Sequence, residues 1–132
     1  MDKSIPIQSY GELLALYRLI VEGKFSTQPH DRQIAASALV ASVADKVAEK
    51  LSEASTQEHT SDKRNGRSES RLMTPKRREW DVALKRAASS DLWPMFSADE
   101  KRRFADILAS PFRFTDVLRD HFIARVDTQR LQ

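Results

Sequence analysis

The chain has 132 residues, 40% of them hydrophobic and 31% charged, with a formal net charge of +3 and no cysteine. That length supports one domain with a real core, and the missing cysteine excludes disulfides and any site built on a thiolate. No run approaches the roughly 18 apolar residues that a bilayer-spanning helix needs, and Met1–Pro6 is too polar for a leader peptide, so the expectation is a cytoplasmic protein that engages no membrane.

The charge is uneven. Residues 1–54 carry six Lys/Arg against seven Asp/Glu, 55–73 four against three, and 74–132 twelve against nine. Basicity is therefore local to the C-terminal part, where interleaved acids blunt it.

Residues 1–8 form an arm, held extended around Ile5-Pro6-Ile7 by proline, whose isoleucines dock on the body or on a partner. Ser9 and Glu12 make a capping box for a first helix. Leu13, Leu16, Tyr17 and Ile20 share one face of it, Leu14 and Val21 widen the stripe, and Gly23 ends it. So apolar a helix is expected at the centre of the core. Pro29 and Asp31 open a second helix running to about Ala54. Its stripe of Ile34, Val40, Val43 or Ala44, Val47 and Leu51 is set among small residues, Ala35, Ala36, Ser37, Ala38, Ala41, Ser42, Ala44 and Ala48. Small residues allow close helix approach, either by the first helix or by a second copy of the chain, so this helix is the candidate surface for a homo-oligomer.

Residues 55–73 are almost devoid of large apolar side chains and cannot offset the entropy of ordering. They are expected to be a mobile polar linker between an N-terminal half, 1–54, and a C-terminal half, 74–132. Thr74-Pro75 is a cap-then-proline start for a third helix reaching Ala88, with Trp80, Ala83, Leu84 and Ala87 inward. Leu92-Trp93-Pro94-Met95-Phe96 reads as an apolar elbow with a turn of 3₁₀ helix. Ser97 and Glu100 form a further capping box for a helix burying Phe104, Ile107 and Leu108. Ser110-Pro111 restarts the chain for a fifth helix with Phe114, Val117 or Leu118, His121 or Phe122, and Val126 on its inner face. The expected fold is all-α: a compact bundle of about five helices in two halves.

The candidate chemistry is thin. His30, His59 and His121 are far apart. Asp116 and Asp120 share a helix face, but His121 points about 100° away from Asp120, and a metal site needs convergent ligands. Gly11, Gly23 and Gly66 stand alone, so no phosphate-cradling loop is present. The expectation is a non-enzymatic protein with no metal and no cofactor.

Two binding classes remain. The leading one is a protein that regulates, inhibits or scaffolds a protein partner, as an adaptor, an immunity- or antitoxin-type protein or a small subunit would. The elbow residues Leu92, Trp93, Met95 and Phe96 are its candidate contacts, since Trp and Met are enriched in interface cores; the same elbow also reads as a corner of the protein's own core. The second class binds nucleic-acid backbone through grouped cations, Arg71, Lys76, Arg77, Arg78, Lys85, Lys101 and Arg102. Glu79, Asp81, Asp99 and Glu100 sit among those cations and count against it.

Overall fold

A computed structural model describes residues 6–7, 9–27, 33–58 and 71–131. Among them run six α-helices: α1 (Tyr10–Phe25), α2 (Gln33–Ala36), α3 (Ala38–Glu58), α4 (Arg78–Ser89), α5 (Ala98–Ala109) and α6 (Asp116–Arg130), with a 3₁₀ turn at Trp93–Met95. The fold is all-α, a compact helical bundle. The expected Pro29–Asp31 start, His30, His59 and the centre of the polar linker lie outside the described residues.

Local chemistry sets the helix starts. Ser9 Oγ accepts the Glu12 N–H at 3.1 Å, and the Ser97–Glu100 capping box is complete in both directions. Four expected boundaries move. The single helix expected from Asp31 to Ala54 breaks at Ser37, whose hydroxyl accepts the Val40 N–H at 3.2 Å and so caps α3 as a new helix. α3 then continues past Ala54 to Glu58. Thr74-Pro75 opens a turn closed by Arg77 N–H to Thr74 O at 3.0 Å, and α4 begins only at Arg78. Ser110-Pro111 starts no helix; Thr115 caps α6 by accepting the Leu118 N–H at 3.1 Å.

The core belongs mainly to the C-terminal half. α4, α5 and α6 pack on one another in every pairing. Trp80 stands at their centre, edge-on to Phe122 at 5.2 Å and to Phe114 at 5.8 Å between ring centroids. Met73 is fully buried in the same cluster, and Leu72 bridges to Arg113 with backbone bonds of 2.7 Å on either side. The C-terminal end of the expected linker is therefore fixed to the body.

α1, α2 and α3 form a second layer that meets the first through α1–α4, α2–α5 and α3–α5 contacts. Phe25 carries this junction: it is fully buried, belongs to the common core and lies 5.7 Å from the Phe112 ring. The remainder of α1 corrects an expectation. Leu13, Leu14, Leu16, Ile20 and Val21 are only half-buried and Leu19 is 71% exposed. α1 packs against α2, α3 and α4 and reaches α5 through Lys24, while Leu19 stays in solvent.

Because Phe25 serves both layers, Phe25→Ala is expected to cost about 3–5 kcal/mol. Denaturant unfolding followed by Trp fluorescence and by far-UV circular dichroism should shift together. Loss of helicity without movement of the Trp signal would contradict a shared core.

Candidate functional site

An open groove lies between the first turns of α1 and the C-terminal half of α3, with a volume of about 500 Å³. Ile7, Leu13, Leu16, Val47 and Ala54 give it an apolar lining, and Lys46, Lys50 and Glu53 stand on its α3 side. Ile7 of the N-terminal arm lines the groove and is 42% exposed; residues 1–5 and 8 of the arm lie outside the described residues. The helical period carries the surface further along both helices. Leu16 is followed by Leu19 and Ile20 on α1, and Val47 is preceded by Val43 and Leu39 on α3. Leu39 is 80% exposed and Val43 about half exposed, at 49%.

The elbow residues separate. Trp93 is 1% exposed, and its Nε1 donates to Asp127 Oδ1 at 2.7 Å. Lys101 Nζ donates to the same oxygen at 3.1 Å and lies over the Trp93 ring. Phe96 packs on Phe104 with centroids 5.4 Å apart. Leu92 and Met95 face solvent, Met95 at 78% exposure. Trp93 thus pins the 3₁₀ turn to α5 and α6, and only Leu92 and Met95 are displayed. Trp93→Ala is expected to cost about 3–5 kcal/mol, against less than about 0.5 kcal/mol for Met95→Ala. Equal and small losses in thermal melts would mean that the elbow is not part of the core.

Most of the candidate nucleic-acid cations are engaged within the fold. Arg71 donates to Pro111 O through Nε at 3.2 Å and a terminal nitrogen at 3.1 Å. Burial lowers its pKa from the usual value, Arg113 adds to that and Asp45 opposes it. Arg77 donates to Leu72 O at 2.7 Å while its guanidinium lies over the Phe112 ring at 4.4 Å. Arg78 donates to Phe25 O at 3.0 Å. Arg102 pairs with Asp99 at 2.7 Å on the surface of its own helix. Lys76 and Lys85 are exposed. The seven are not gathered on one face.

Lys24 is a residue that no motif or spacing in the sequence marks. It is fully buried at the end of α1, and Nζ donates to Ile107 O at 2.6 Å. Nearby, Ser110 Oγ sits 2.9 Å from Ala41 O and 2.8 Å from Asp45 Oδ1; its one hydrogen serves one of these acceptors at a time. Lysine, serine and aspartate at one place have the composition of a nucleophilic site. Here Lys24 and Ser110 are both buried and bonded to main-chain carbonyls, so the cluster ties α1, α3 and α5 together and is closed to a substrate. Among the described residues no three or more His, Asp or Glu side chains are arranged to hold a metal ion, and Asp116 instead pairs with Arg119 at 2.7 Å. No described helix is long and apolar enough to cross a membrane.

No family model, curated protein or solved structure matches this chain.

Burial pushes the Lys24 ammonium down from 10.5 to about 8; Asp45 opposes the shift and Arg86 adds to it. Between those two pH values the unfolded chain binds the proton more tightly than the folded one, so Lys24 makes stability rise with pH. The gain is complete above 10.5 and is lost as pH falls through about 8. Relative to Lys24→Met, the wild type should gain on the order of 3 kcal/mol across this window, read from paired denaturant titrations. Parallel pH profiles for the two proteins would contradict a buried ammonium.

Proposed function

We propose that this is a non-enzymatic binding protein that regulates or scaffolds a protein partner by docking an amphipathic helix along the α1–α3 face. One observation carries the reading: none of the six Leu, Ile and Val side chains of α1 is buried. A helix that apolar is ordinarily covered on its apolar side. Contiguous exposed apolar surface on a monomer marks an interaction site more often than chance placement does. The groove has the form that helix-in-groove recognition uses, with Tyr10, Leu13 and Leu16 three apart on the α1 wall, Val47 and Ala54 seven apart on the α3 wall, and charges beside them.

The elbow contributes only Leu92 and Met95 to the displayed surface, a smaller patch than the α1–α3 face. The nucleic-acid reading has less support, because Arg71, Arg77, Arg78 and Lys101 are bonded within the fold and Arg102 is paired with Asp99.

Photo-crosslinking side chains placed singly at Leu16, Leu39, Lys85 and Met95 test the proposal in cells. Protein adducts are expected from Leu16 and Leu39 and should disappear when Leu13→Glu is added. Adducts confined to Met95 or Lys85 would overturn the assignment of the face.

A further inference from the structure

We infer that the helix pair occupying this face is α1–α3 of a second copy of the chain, in an isologous dimer. The inference rests on the docking reading above and names its partner. Three properties of the face point to self-association.

The first is charge order. Lys46 and Lys50 are four residues apart, as are Glu49 and Glu53, on the same side of α3, and Lys46, Lys50 and Glu53 border the groove. Two antiparallel α3 helices related by a two-fold axis between positions 49 and 50 would set each Lys46 against the other copy's Glu53, and each Glu49 against the other copy's Lys50. A sequence of alternating sign that is complementary to its own reversal is what an isologous contact requires. The present partners of these groups are exposed: Lys50 pairs with Glu53 at 3.3 Å and Glu49 with Arg113 at 3.0 Å. Such pairs are worth little in solvent, so exchanging them costs little.

The second is net charge. The described exposed charged groups of α1 and α3 are Glu12, Arg18, Glu22, Lys46, Glu49, Lys50 and Glu53, three cations against four anions. Two copies meeting through α1 and α3 therefore bring no strongly like-charged surfaces together.

The third is extent. Along the 16 residues of α1 the face is about 24 Å long, and two helices roughly 10 Å apart make it about 20 Å wide. Its projection is on the order of 500 Å², and side-chain relief and the longer α3 carry it towards the ~800 Å² per partner of a standard interface. Pairing two such layers makes a four-helix arrangement in which the half-exposed leucines of α1 and the exposed Leu39 and Val43 of α3 are covered.

Sedimentation equilibrium of the full chain over a concentration series is the test. The wild type should show a mass twice 15.1 kDa. Leu39→Glu, at an 80% exposed position, should keep its thermal melt yet weaken the dimer at least 10-fold. Lys46→Glu and Glu53→Lys should each weaken it, and the double variant should restore it by recreating the pairs in reverse. A dimer unaffected by these changes would place self-association elsewhere and overturn the inference. A wild type that is monomeric throughout, while Leu39 still crosslinks to a different protein, would overturn the second copy and leave the docking face standing. A monomer with no adduct at Leu16 or Leu39 would remove both.

Discussion

Three helices, α1, α4 and α5, end where another helix supplies a cation. The last carbonyls of an α-helix have no partner within it and collect partial negative charge. The end of α1 at Phe25 and Ser26 receives Arg78 and Arg86 from α4. The end of α5 at Ile107 receives Lys24 from α1. The end of α4 at Ala88 and Ser90 receives Arg130 from α6, at 2.5 and 2.8 Å. A hydrogen bond from a charged donor contributes about 1.5–3 kcal/mol, and its loss inside the bundle would strand a carbonyl. These bonds orient the two layers more narrowly than apolar packing alone, because each links a side chain to one named carbonyl.

This arrangement accounts for the basic character of the second half. A pI near 9.4 and clustered Lys/Arg suggest a polyanion partner, yet much of that charge closes the fold. Exposed large apolar side chains lie on both layers, Ile7, Leu19, Leu39 and Val43 on one and Leu92, Met95, Val117 and Leu131 on the other. The α1–α3 pair is anchored at one end by Lys24 and Phe25 and open along its length. A rigid, pre-formed face of this kind offers binding without a large ordering cost.

Helix type and number were legible in the sequence, since the 3.6-residue periodicity and the caps at Ser9 and Ser97 involve partners within four residues. Boundaries were less so. Ser37 caps a helix inside an alanine-rich run that reads as unbroken, and Thr115 was overshadowed by Ser110-Pro111, which has the same cap-then-proline pattern. The fates of Lys24, Arg71 and Arg78 could not be read at all: their acceptors are backbone carbonyls 83, 40 and 53 residues away, and any residue type supplies such a carbonyl. Trp93 is the same case, held by Asp127 across 34 residues. The groove left only an indirect trace, as a leucine stripe on one helix beside a helix of small residues. Composition gave both their helical faces but not how far the other described helices cover them.

The most direct test of this account is amide hydrogen exchange measured on dilute and on concentrated protein. If the α1–α3 face is the working surface and a second copy covers it, protection should rise with concentration in Tyr10–Phe25 and Ala38–Glu58 while Arg78–Ser89 stays unchanged. Protection that rises instead in Arg78–Ser89 or around Met95, with α1 and α3 unaffected, would contradict it.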